Sequence, residues 1–130
     1  MRFALAIALV ALGGAAARGE AINSFRRAHG LQALTPSSAM ALLAAEQANS
    51  MAGRNHLDHN DYKARLGFYG GFHAENVAYG CTNEDCAYRA WVRSPGHRAN
   101  MLLRNVSTYG LASATAANGR RYWALELGNE

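Results

Sequence analysis

Cysteine, lysine and proline are all scarce in this chain of 130 residues, and the gaps narrow what it can be. The two cysteines, Cys81 and Cys86, stand five apart with no second pair, a poor match to structural zinc spacings. Lysine occurs once, as Lys63, and the arginines are scattered singly or in pairs such as Arg26-Arg27 and Arg120-Arg121. The net charge is only +4, with no basic stripe and no recognisable nucleic-acid module, so nucleic acid is disfavoured as a partner. Beyond the N-terminal apolar stretch there is no second hydrophobic run, so no membrane span is expected in the remainder. No HExxH zinc-protease motif and no G-x-S-x-G nucleophile elbow occur. A triad of Ser94, His97 and a carboxylate can be written, but Ser94 is better used as a helix cap. There is no repeat, no low-complexity tract and no linker that would divide the chain.

What is present begins with "MRFALAIALVALGGAAARG": one arginine, an apolar run from Phe3 to Leu12, then small residues. That is the layout of a secretory signal peptide, and the run is too short to span a bilayer. Ala15-Ala16-Ala17 offers the small residues of a cleavage site. The expectation is a signal peptide over residues 1–17 and one soluble domain over 18–130, secreted or periplasmic. No cysteine near the cleavage site suggests a lipid anchor. Export permits a disulfide. In "GCTNEDCAYRAW", Thr82 reads as a helix cap with Asp85 as a weak capping-box partner. Cys81 and Cys86 then fall at the two positions that meet in a hydrophobic staple, and a bond between them would be a covalent staple on the helix start.

"EAINSFRRAHGLQAL" reads as a helix ended by Gly30, with Ile22 and Phe25 on one face. Thr35-Pro36 reads as a cap and first turn. In the helix that follows, Met40, Leu43, Ala44, Gln47 and Met51 form a buried face widened by Leu42 and Ala45. The stretch from His56 to Gly80 looks loop-like, with a possible turn of helix from Tyr62 to Leu66. Two short helices follow, the second opened by Ser94 and Pro95. Asn118-Gly119 then signals a hairpin, with Trp123, Leu125 and Leu127 on one face of its second strand. Helices first and a hairpin last make an α+β pattern.

Five histidines are the search set for chemistry: His29, His56, His59, His73 and His97. His29 precedes Gly30 and suits a helix carbonyl end. His97 sits in the first turn of its helix, where the helix dipole disfavours a positive imidazolium. A neutral imidazole is the form that binds metal or accepts a proton. His56 and His59 would share a face only if their segment were helical, and His73 lies two residues before Glu75.

Taken together, "INSFRRAHGLQAL", "MAGRNHLDHN", "AENVAYG", "AWVRSPGHRANML" and "YGLA…YWALELG" resemble, in order and rough spacing, the bacterial branch of the CAP superfamily. This SCP domain is shared by cysteine-rich secretory proteins, antigen 5 and plant pathogenesis-related proteins. The resemblance covers about Glu20 to Gly128. It implies an α-β-α sandwich with a central antiparallel sheet flanked by helices, and a cleft lined by two histidines and two acids. Residue by residue it carries over to His59 in "LDH", Glu75 in "AENVAYG" with Ala74 in place of the usual glycine, and His97 in "SPGHRANML". The second acid departs from the pattern, because "VRSPG" follows Trp91 with no carboxylate. Glu84 and Asp85 lie about two turns too early. Glu126 offers a carboxylate from another direction, although as a strand residue it reads first as a solvated edge position.

The resemblance implies a non-enzymatic module that binds a small molecule, lipid or protein. Its cleft would be able to hold a divalent cation such as Zn²⁺ through His59, His97 and Glu75. Two alternatives stand beside it. One is a metal-dependent hydrolase using those three residues, since metal-bound water can reach a pKa of about 7. The other is an envelope or host-interaction protein with a vestigial cleft.

Overall fold

The computed structural model describes residues 13–62 and 71–129, with residues 13–20 as backbone only. The apolar run Phe3–Leu12 and the expected turn beyond Tyr62 lie outside the described residues. Helix α1 spans Gly13–Ala28, so the expected cleavage point after Ala17 falls within its range. Gly30 takes the left-handed φ of 71° that ends the helix, and Leu31 N–H returns to the Arg26 oxygen at 2.9 Å. His29 donates from Nδ1 to the Phe25 oxygen at 2.9 Å, as its place at the carbonyl end suggested.

Strand β1 is the two-residue Thr35–Pro36, which corrects the reading of that pair as a helix start. Thr35 N–H bonds the Ser107 oxygen at 2.8 Å and Ser37 N–H the Tyr109 oxygen at 2.9 Å. Pro36, lacking an N–H, sits between them on an edge strand, where proline is tolerated. The cap of helix α2 (Ser38–Arg54) is Ser37, whose side chain accepts from Met40 N–H at 3.2 Å. The buried face of α2 is Met40, Leu43, Ala44, Gln47, Ala48, Met51 and Ala52, whereas Leu42 is 57 % exposed and does not widen it.

The stretch read as loop contains strand β2, His73–Tyr79. Helix α3 is Glu84–Arg93 and helix α4 Pro95–Met101. The cap of α3 is Asn83, not Thr82: its Oδ1 accepts from Cys86 N–H at 2.9 Å. Cys81 and Cys86 are disulfide-bonded as expected, each one register position from the staple assignment. Asp85 pairs along the helix with Arg89 at 3.2 Å instead of closing a capping box. Pro95 opens α4, but Ser94 at the cap position makes no side-chain capping bond.

Strands β3 (Thr108–Thr115) and β4 (Arg121–Gly128) form the predicted hairpin. Gly119 alone takes a positive φ in its turn, at 85°. A two-residue type I′ turn needs positive φ at both central residues, so the connection is a longer loop, closed by Ala116 N–H on the Arg120 oxygen at 2.7 Å. The sheet order is β1-β3-β4-β2. Its three long strands are antiparallel and short β1 is parallel to β3, so the sheet is mixed rather than wholly antiparallel.

Pleating divides the side chains between two helical layers. Glu75 and Val77 of β2, Ala124 and Glu126 of β4, and Gly110 and Ala112 of β3 share the face that α2 covers. A Cβ on Gly110 would collide with the α2 backbone at Met40 and Ala41, so glycine is what lets helix and sheet meet. On the other face Trp123, Leu125, Leu127, Tyr109 and Leu111 pack with Ile22, Ala87, Tyr88, Trp91 and Met101 from α1, α3 and α4. The result is the expected α-β-α sandwich. Because both faces are covered, the alternation along β4 does not separate buried from exposed residues. Glu126 is therefore fully buried, which overturns its reading as a solvated edge position.

Candidate functional site

The site lies along β2, the edge strand opposite β1, where residues from both helical layers come together. Glu75 is held on the α2 side by β-pairing and is 4 % exposed. Its Oε1 accepts from His59 Nδ1 at 2.8 Å and lies 3.5 Å from Gln47 Nε2. Gln47, buried on α2, also donates to the Asp58 oxygen at 2.6 Å, which fixes the loop that carries His59. Arg54 grips the same loop through a two-pronged ion pair with Asp58 at 2.7 and 2.9 Å, holding that carboxyl down to a pKa of about 2. The chain leaves α2 through Asn55 in the left-handed region, φ 51°, so His56 and His59 do not share a helix face. His56 is exposed, with its Nε2 3.8 Å from Asp58 Oδ2.

A cavity of about 350 Å³ opens here, lined by His59, Tyr62, Phe72, His73, Ala74, Glu75, Asn100 and Leu103. His59 and Glu75 form its polar end. Phe72, Leu103 and the Tyr62 ring supply apolar wall, since the Tyr62 hydroxyl donates to the His73 oxygen at 2.7 Å. Among the described residues, no serine, threonine or cysteine stands in this lining.

His97 is half-buried in the first turn of α4 and does not line the cavity. Burial first, and the charge of His59 second, lower its pKa below the ordinary 6.5, so the neutral imidazole is favoured as its helix position suggested. The backbone of His97 is tied to β2 through Asn76, whose Nδ2 donates to the His97 oxygen at 3.0 Å. The far end of α4 is held by Arg26, which is 1 % exposed and donates to the oxygens of Met101 at 2.9 Å, Leu103 at 2.8 Å and Gln32 at 2.9 Å. Sequence reading counted Arg26 as one of the scattered arginines; a cation that caps a helix end from another helix leaves no local pattern.

Glu126 lies directly across β4 from Glu75, on the same face of the sheet. Cross-strand partners have Cβ atoms about 5 Å apart, so the two buried acids are neighbours. Glu84 and Asp85 stay on α3, away from this cavity's lining.

Among the described residues no group of three His, Cys, Asp or Glu side chains is placed to hold a metal ion. The Glu75 oxygen nearest His59 bonds the imidazole, the part a carboxylate plays behind a metal-bound histidine rather than on the metal. The residues present therefore fall short of the three-protein-ligand zinc set.

The model of the cysteine-rich secretory protein family, CAP, matches residues 20–127. The chain belongs to that family. Solved structures agree on the CAP fold. An outer surface protein from Borrelia burgdorferi superposes with a TM-score of 0.75 at 17 % identity, covering 84 % of this chain and 86 % of that one. An extracellular protein containing an SCP domain from Bacillus anthracis gives 0.76 at 20 % identity over 88 % of this chain, which spans 40 % of that protein. NaASP2, crystallised with Zn²⁺, gives 0.65 at 15 % identity over 86 % of this chain and 77 % of its own. A search of curated proteins found no significant match.

Proposed function

We propose that this CAP domain is an exported, non-enzymatic binding module whose cleft takes a small amphipathic ligand. The observation that carries the reading is the His59–Glu75 pair, 2.8 Å apart, at the polar end of a cavity of about 350 Å³ otherwise walled by Tyr62, Phe72 and Leu103. A largely apolar concavity with a few convergent polar groups is the usual form of a small-molecule site.

Export is supported by the signal-like composition of residues 1–17 and by the Cys81–Cys86 disulfide, which belongs to oxidising compartments. The destination is the periplasm or the exterior.

A zinc ion accompanies the related NaASP2 in its crystal. In this chain His59 and His97 are the side chains that would hold such an ion, with Glu75 orienting His59. Two protein ligands are fewer than a catalytic zinc site uses, so any cation held here would have to be completed by ligands from outside the chain.

The test is a thermal melt of the parent and of Leu103→Asp with a panel of amphiphiles, then with EDTA and with Zn²⁺. A ligand at 100 times its Kd contributes about 2.7 kcal/mol, several degrees of melting temperature in a domain of this size. Shifts in the parent that vanish in Leu103→Asp support the cleft. A large Zn²⁺ shift that EDTA reverses, with none from any amphiphile, would instead favour a metal centre.

A further inference from the structure

A second cavity, of about 240 Å³, opens at the other end of β2 from Glu75, between the exit of α2 and the β3–β4 connection. It is lined by Asn55, His56, Leu57, Tyr79, Arg120 and Tyr122, and none of these lines the cleft. Glu75 and Tyr79 stand four strand positions apart, about 13 Å.

Hydrogen bonding fixes what Asn55 presents to this cavity. The Arg120 backbone N–H can only donate, and it meets Asn118 Oδ1 at 3.0 Å. That leaves Asn118 Nδ2 as the donor to Asn55 Oδ1, at 3.2 Å. The Tyr122 hydroxyl donates to the same oxygen at 2.9 Å. With Oδ1 taken twice, the amide nitrogen of Asn55 is the end left for the cavity that Asn55 lines.

Arg120 is also presented as a donor. Its guanidinium carbon stands 4.9 Å from the centre of the Tyr79 ring, and Tyr79 in turn stacks on buried Tyr122 at 6.0 Å. A guanidinium's N–H groups point outward in its own plane, so stacking its face on a ring orients the group and uses none of them. Among the described residues no carboxylate or carbonyl takes an Arg120 side-chain donor. His56 adds an exposed imidazole. No Asp or Glu stands in the described lining. Asp58 lies 3.8 Å from His56 Nε2, outside that lining, and is already gripped by both prongs of Arg54. Nitrogen donors from two segments of the chain thus meet at one cavity with no acid lining it.

We infer that this cavity is an oxyanion site for a small, water-soluble phosphate monoester, with the phosphate on Arg120, His56 and Asn55 Nδ2 and the organic group against Tyr79 and Leu57. A phosphate offers three strong acceptor oxygens, enough for three donors arriving from two sides, where a carboxylate offers two. Leu57 and the exposed half of Tyr79 give apolar surface for a ring and none for a long chain. The site stands independently of the reading of the cleft.

The experiment is a ¹H–¹⁵N chemical-shift titration of the full chain with phenyl phosphate, benzoate and benzyl alcohol. The expected result is that phenyl phosphate perturbs the Arg120 Nε–H, the Asn55 side-chain amide and the Tyr79 amide while Leu103 stays unmoved, with a Kd about tenfold or more below that of benzoate. Benzyl alcohol, which keeps the ring and loses the charge, binds more weakly still. Arg120→Gln weakens phenyl phosphate by about tenfold or more, whereas Arg104→Gln, at an exposed arginine outside this cavity, leaves it unchanged. If phenyl phosphate leaves Arg120 and Asn55 unmoved in the parent chain, or benzoate or benzyl alcohol binds there as tightly, the phosphate site is overturned. Equal loss in Arg104→Gln and Arg120→Gln would overturn it too, since general positive charge would then account for the binding.

Discussion

His59 Nδ1 donates to Glu75 Oε1 across 2.8 Å, joining an exposed loop after α2 to a buried strand residue. Glu75→Gln keeps the shape of that contact and removes its charge. His59 is half exposed, so water replaces part of what is lost. The expected cost is about 1 kcal/mol in urea unfolding. The larger effect falls on the cleft, whose response to amphiphiles should weaken as the His59 ring loses its anchor. An unchanged ligand titration in a folded Glu75→Gln chain would remove Glu75 from the site.

His97 gives stability a pH dependence of known sign. Its pKa is lowered on folding, by burial first and by the charge of His59 second. Between the lowered value and the ordinary 6.5 the unfolded chain binds more protons than the folded one. This contribution is therefore complete above that window and is lost as pH falls through it. Urea midpoints measured from pH 5 to pH 8 should rise with pH in the parent, and His97→Gln should flatten the curve in that range.

Arg26 ties α1 to the far end of α4 through the Met101 and Leu103 oxygens, and to the loop after α1 through the Gln32 oxygen. Arg26→Met fills much of the same space without a donor. Three carbonyls then lose a charged partner, at an expected cost of about 3 kcal/mol or more. Amide exchange should quicken over Pro95–Leu103, the segment that carries His97 and Asn100. Uniform quickening over the whole chain would mean that Arg26 serves global stability alone.

Gly110→Ala places a methyl group against the α2 backbone at Met40 and Ala41. Backbone cannot step aside as a flexible side chain can, so the cost should reach or exceed the usual range of about 1–3 kcal/mol for overpacking. The displaced helix carries Gln47, so ligand response should fall along with the melting temperature. A neutral Gly110→Ala would show that α2 and the sheet are not in contact there.

Cys81→Ser/Cys86→Ser opens a loop closed over a separation of five residues. On the loop-closure account the loss is about 2 kcal/mol. The disulfide lies at the start of α3, away from the cavity lining, so the unfolding midpoint should drop while ligand response in the folded chain persists.

Local chemistry carried much of this protein from the sequence alone. Helical spacing marked the buried face of α2, Gly30 marked the end of α1, Asn118-Gly119 marked the hairpin, and the cysteine pair marked its own bond. The motifs around His59, Glu75 and His97 placed the chain in its family. Each of these signals is written within a few residues, so it survives without knowledge of the fold.

The remainder depended on partners distant in the chain. β2 escaped notice because an edge strand that buries Glu75 and Asn76 shows no apolar alternation. Glu126 looked solvated because alternation marks exposure only when one face of a sheet is open, and here helices cover both. Thr35-Pro36 has the composition of a helix start, yet pairing with β3 drew it into the sheet. The orientation of Asn55 follows from the backbone N–H of Arg120, read through an asparagine 63 residues away. Residue types decided which groups were available for chemistry; only packing, which sets who faces whom and who loses water, decided what those groups do.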